Sequence, residues 1–116
     1  MGAKGLLDAL PPGRTGSSPE RADARVPVRN PAVKGPLSPS EDWVMEKAGR
    51  EAAAIAITRV ARADDVTYEI VNFIDGTRTV AEIRDAVSAE FEPIEPAAVS
   101  EYIDVLAKAG AITFRP

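Results

Sequence analysis

Three stretches of the chain share one pattern, in which apolar side chains recur three and four positions apart with polar residues between them. Val66, Ile70, Phe73 and Ile74 form the first stripe. Val80, Ile83, Val87 and Phe91 form the second, and Val99, Tyr102, Ile103 and Leu106 the third. That period gathers each set on one face of an α-helix, so each helix has an apolar stripe to hide. The residues between the stripes punctuate them. Asp64 is placed to cap the first helix, and Asp75-Gly76 to end it, because glycine accepts the left-handed conformation that closes a helix. Thr79 and Glu82 have the spacing of a capping box at the next helix start. Pro93 stops that helix, Pro96 suits the first position of the third, and Gly110 terminates it.

Weaker patterns flank these helices. SEDWVMEKAG reads as a short helix capped by Ser40 and ended by Gly49, with Trp43, Val44 and the stem of Lys47 on one edge. Residues 50–62, REAAAIAITRVAR, give mixed signals: alanine favours helix, while Ile55 and Ile57 alternate as strand residues do. The reading here is helix. AITF, residues 111–114, is a short strand before the terminal proline. Together these elements predict a mainly α fold, a small three- to four-helix winged-helix-like domain over residues 41–116 with a short C-terminal strand.

Composition sets the expected boundary. Residues 1–40 hold seven of the ten prolines, five of the eight glycines and no aromatic residue. Such a segment buries too little apolar surface to offset its ordering entropy, so a flexible tail is expected there. Its one apolar cluster, Leu6, Leu7 and Leu10, runs straight into Pro11 and Pro12. Proteolysis is expected to trim the chain to a piece starting between Pro27 and Trp43.

Charge and residue types then remove whole classes of function. Residues 1–40 carry a net charge of +3 and residues 41–116 a net of −7. An acidic domain repels phosphate backbones. The polar positions of the second helix also carry Glu82, Asp85 and Glu90 against Arg84, where a DNA-reading helix presents basic groups. No nucleic-acid partner is expected. The longest apolar run, AAAIAI, is too short to span a bilayer, and MGAKGLLDALPPG lacks the apolar core of a secretory signal. Gly2 is followed by Leu6 where a myristoylation signal has serine or threonine. The expectation is a soluble, cytoplasmic chain with no membrane partner. Cysteine and histidine are both absent, which removes the usual groups of zinc sites and catalytic triads. No catalysis, metal or cofactor is expected of this chain. Glu90, Glu92 and Glu95 are read as a solvated charge run, and Arg78 and Arg84 as surface charges beside the turn. Trp43 is read equally as an interface anchor or a lid over the core.

F-I-D-G-T-R-T-V-A-E-I, ending at Ile83, resembles the isoleucine-aspartate-glycine-x-x-threonine-x-x-glutamate-isoleucine signature of PqqD-like proteins. These are small winged-helix peptide-binding modules of pyrroloquinoline quinone and modified-peptide biosynthesis. VSEYIDVLAKAGAI is similar to that family's last helix and strand, so the likeness covers residues 64–114. A longer resemblance, over residues 26–116, joins VKGPL, YEIVNFIDG and EIRDAVSAEF to the C-terminal extension of some bacterial di-zinc aminopeptidases. None of that family's zinc-binding histidines or catalytic carboxylate motifs is present, so no metal ligand or catalytic residue carries over.

The first resemblance implies a non-catalytic protein- or peptide-interaction domain that takes an extended segment onto a strand edge beside the last helix. Its strands before the first helix have no counterpart in this sequence. The partner-binding residues expected from it are Val99, Tyr102, Ile103, Leu106, Ile112 and Phe114, with the Tyr102 ring as a wall. The alternative is an accessory fragment of a di-zinc metallopeptidase, whose parent would then be the partner.

Overall fold

The computed structural model describes residues 22–116. It is mainly helical, with α1 (Asp42–Ala48), α2 (Ala63–Asn72), α3 (Val80–Glu90) and α4 (Pro96–Lys108). Strands β1 (Pro27–Arg29) and β2 (Ile112–Phe114) pair antiparallel, Pro27 opposite Phe114 and Arg29 opposite Ile112. The three sequence stripes meet in one core. Val66, Ile70, Val80, Ile83, Val87, Val99, Tyr102, Ile103 and Leu106 are all sealed from solvent there. Helix α4 is central, because it packs against α1, α3 and β2 at once.

The start of α3 satisfies every backbone donor that a helix terminus leaves open. Thr79 Oγ1 accepts from the Glu82 amide at 3.1 Å, and Glu82 Oε1 accepts from the Thr79 amide at 2.8 Å. The expected capping box is thus present. The remaining two amides, Val80 and Ala81, donate to the carbonyls of Arg25 and Asp23 at 2.9 and 3.0 Å.

That contact bears on the expected tail. Residues 22–40 are part of the domain: β1 lies among them, and Leu37, Pro27 and Pro39 are buried. The boundary expected at residue 40 is therefore corrected: residues from Asp23 onward belong to the domain. Proline counting misled because Pro27 sits at a non-hydrogen-bonded ladder position, where its missing N–H would point away from β2. A strand precedes the first helix after all, namely β1 at Pro27–Arg29. Residues 1–21, with Leu6, Leu7 and Leu10, lie outside the described residues.

Three element boundaries differ from expectation. Residues 50–62 form two 3-10 turns, Arg50–Ala54 and Ala56–Arg59, separated by an extended Ile55. Both Ile55 and Ile57 are buried, and an α-helix would set residues two apart roughly 200° around its axis. Breaking the helix at Ile55 lets both point inward. Helix α1 takes Glu41 as its N-cap, while the Ser38 hydroxyl accepts from the Ser40 amide at 3.4 Å. Helix α2 begins one residue before Asp64, from Arg62 at φ 57°, which leaves Asp64 in the first turn as a dipole partner.

Candidate functional site

The side chains expected to bind a partner form the core instead. Val99, Tyr102, Ile103 and Leu106 are 0% exposed and Ile112 is 2% exposed. The Tyr102 hydroxyl donates to the Leu37 carbonyl at 2.6 Å, and burial pushes its pKa well above the ordinary phenol value. Phe114 is half-buried beneath the Arg25 guanidinium, 4.6 Å from its ring centroid. Helix α4 has one strong apolar stripe, and a domain this small needs that stripe for itself.

The strand edge is mostly taken as well. β1 occupies one side of β2, flanked by bonds of 2.9 Å from Asn30 N to Ala111 O and from Arg115 N to Val26 O. The backbone groups of Ile112 and Phe114 face the other side. Ile112 is covered by its neighbours, so only the Phe114 end of that edge is accessible. Among the described residues, no groove walled by Tyr102 runs along the β2 edge.

A different groove runs beside the same helix. It lies between the other face of α4 and the 3-10 turns, with a volume of about 1040 Å³. Ala52, Ile55 and Ala56 line one wall, Ala97, Ala98 and Val105 the other, and Pro93-Ile94 contribute one end. Small side chains on both walls leave the trench between them. One main-chain donor is offered across it: the Ala56 amide, which Glu101 Oε1 accepts at 3.0 Å. The lining is also acidic. Glu51, Glu95, Glu101 and Asp104 outnumber Arg59 and Lys108. Of these cations, Arg59 already donates to the Ala54 carbonyl at 2.7 Å.

Arg25 braces the flank of this groove. Its Nε and Nη2 donate to Asp23 at 2.9 and 2.7 Å, and its Nη1 donates to Asp104 at 2.6 Å. The Arg25 hydrogen bond, aided by the Ser100 hydroxyl at 2.8 Å, holds the Asp23 carboxyl below its usual range. A fixed guanidinium here ties the segment before β1 to α4.

The other singled-out residues have structural roles. Asp75 organises the reversal, its Oδ1 accepting from the Thr77 and Arg78 amides at 2.9 and 3.0 Å. Arg78 returns to Asp75 Oδ2 at 3.0 Å and lies over Phe73. Arg84 Nε donates to the Ile94 carbonyl at 2.6 Å, fastening the loop between α3 and α4. Trp43 is half-buried against the core, as a lid would be. Reading the sequence for large apolar residues missed the groove. Its signal is the small residues of EAAAIA and PAA, which periodicity counts as weak core.

Among the described residues, no group of three or more acidic side chains is placed to hold a metal ion. No described helix is long and apolar enough to cross a membrane. No family model, curated protein or solved structure matches this chain.

Proposed function

We propose that the chain is a non-catalytic peptide- or protein-interaction domain of PqqD-like type, and that it binds through the groove between α4 and the 3-10 turns. The observation that carries this reading is the groove itself: an open, alanine-lined trench with one backbone donor and an acidic rim. The family resemblance implies a guest lying beside the last helix, and this groove lies beside α4. Its second wall is the segment just before α2, built from 3-10 turns rather than from the edge of the AITF strand. Apolar side chains of the guest would fill the trench, its basic side chains would meet Glu51 and Glu95, and one of its carbonyls would take the Ala56 amide from Glu101.

Peptide-display selection on the intact chain tests the proposal. Selected sequences are expected to combine apolar residues with lysine or arginine. Ala97→Trp, at an exposed position on the groove wall, is expected to abolish their binding and leave the fold unchanged. Selection that enriches nothing, or peptides that bind Ala97→Trp undiminished, would reject it.

The metallopeptidase reading draws support from one observation. The domain uses residues from Asp23 onward, an extent closer to the longer resemblance, 26–116, than to the shorter one. On that reading the groove receives a segment of a parent peptidase. A peptidase domain in the reading frame upstream of Met1 would favour it, and an unrelated frame would remove it.

A further inference from the structure

A second cleft, sharing no lining residue with the groove, lies between the loop after β1, helix α2 and the end of Tyr102. Its volume is about 600 Å³. Arg29, the last residue of β1, lines it together with Ser38, Ser40, Tyr68 and Asn72. Among the described arginines, Arg29 alone has a buried side-chain nitrogen without a partner, whereas Arg50 is exposed. Arg25, Arg59, Arg62, Arg78, Arg84 and Arg115 each donate to a carboxylate or a carbonyl. The Arg29 Nε is buried and has no acceptor among the described residues. A guanidinium carries five donors and cannot shed its charge, so a partly dry one without an anion is a costly arrangement.

Two further features narrow the ligand. Tyr68, at 67% exposed, is the large hydrophobic residue that the described surface leaves most open, and it stands on the same cleft. It is a ready platform for the apolar body of a guest. Glu41 and Asp64 also line the cleft. Both are at least partly solvated, so screening weakens their reach, whereas an anion touching the half-buried Arg29 interacts at close range and lower dielectric. They nevertheless disfavour a doubly charged phosphate and can accept amide N–H groups.

We propose that this cleft is a recognition site for a single peptide carboxylate, held by the Arg29 guanidinium and the Ser38 and Ser40 hydroxyls, with the adjoining side chain against Tyr68. The carboxylate is either a chain terminus or an acidic side chain, which share the same planar two-oxygen geometry. Arginine suits that geometry because its parallel N–H donors match the two oxygens.

Nuclear magnetic resonance titration of the full, 15N-labelled chain tests this with three probes. These are acetyl-Gly-Ala-Leu with a free carboxyl end, acetyl-Gly-Glu-Leu amide, and acetyl-Gly-Gln-Leu amide. The expected result is saturable movement of the Arg29 Nε–H and Tyr68 signals with one or both carboxylate probes, at a Kd of about 1 mM, and none with the glutamine probe. The first two arms tell the source of the carboxylate. Arg29→Lys, which keeps the charge and loses the fork, should weaken binding about tenfold. Tyr68→Ala, at an exposed position, should weaken it about threefold with an unchanged spectrum elsewhere. The proposal is overturned if neither carboxylate probe moves these signals, or if the glutamine probe moves them equally. It is also overturned if the Arg29 signal already follows the titration of Glu41 or Asp64 without peptide, because Arg29 would then be paired within the chain.

Discussion

The hydroxyl of Tyr102 donates to the main-chain carbonyl of Leu37 at 2.6 Å, joining the last helix to a loop 65 residues earlier. Both partners are buried, and Leu37 packs in the same core as Tyr102. This bond makes the Pro-rich approach a structural part of the domain. Tyr102→Phe should destabilise the fold by about 1–2 kcal/mol, because the Leu37 carbonyl loses its donor. Leu37→Ala should cost about 3 kcal/mol through lost burial and a cavity. Urea unfolding of both variants measures these values. Values near zero would detach this loop from the core. On the same grounds, limited proteolysis should spare the bonds between Asp23 and Glu41.

The reversal between α2 and α3 depends on two adjacent residues in different ways. Gly76 has φ 82°, and a Cβ there would meet nothing closer than the Val28 Cγ2 at 3.9 Å. Gly76→Ala should therefore cost about 1 kcal/mol from backbone conformation alone, with no steric clash. Asp75→Ala should also lower the melting temperature, because the Thr77 and Arg78 amides lose their shared acceptor. A thermal melt of each variant checks this, and an unchanged melt for both would misplace the turn.

Asp75 also gives the domain an acid response. Hydrogen bonds from the Arg78 and Thr77 amides hold its carboxyl at about 2, against an ordinary 3.8. A depressed folded pKa means the proton binds the unfolded chain more readily. The stabilisation is therefore complete above about pH 4 and is lost as pH falls towards 2. Asp23, also lowered, acts in the same direction. Melting temperature should decline over that window, and Asp75→Asn should flatten part of the decline. A wild-type melt that is level from pH 4 to 2 would contradict the assignment.

The helix stripes were legible because burial follows periodicity directly: all three supply the core, with Phe73 and Phe91 at its margin. The capping box was legible too, since Thr79 and Glu82 act within one turn. What was hidden depends on contacts between distant segments. Nothing local marks Pro27–Arg29 as a strand, because its partner lies at Ile112–Phe114. The 3-10 turns arose from two isoleucines competing for one core, a tertiary demand that overrides alanine propensity. The side chains expected to bind a partner were misread for a related reason. Apolar residues on α4 signal burial, and burial by the domain's own core removed them from any partner, leaving the alanine face to line the groove.

The first two amides of α3 offer a check on how the approach segment is held. Helix-terminal amides usually exchange with solvent quickly. Those of Val80 and Ala81 donate to Arg25 and Asp23, so they should exchange as slowly as amides in the middle of the helix. Thr79→Ala should cost roughly 1 kcal/mol through its cap and leave these two bonds in place. Rapid exchange at Val80 and Ala81 in the intact chain would contradict the shared cap.

Chemical-shift mapping with a display-selected peptide locates the binding surface at the groove beside α4 or elsewhere. The largest changes should fall on Ala56, Ala97, Glu101 and Val105, with the Ala56 amide moving as its acceptor passes from Glu101 to the guest. Ala97→Trp should erase those changes. Changes centred on Thr113 and Phe114, with the Ala56 and Ala97 signals still, would reject the groove and return the site to the strand edge.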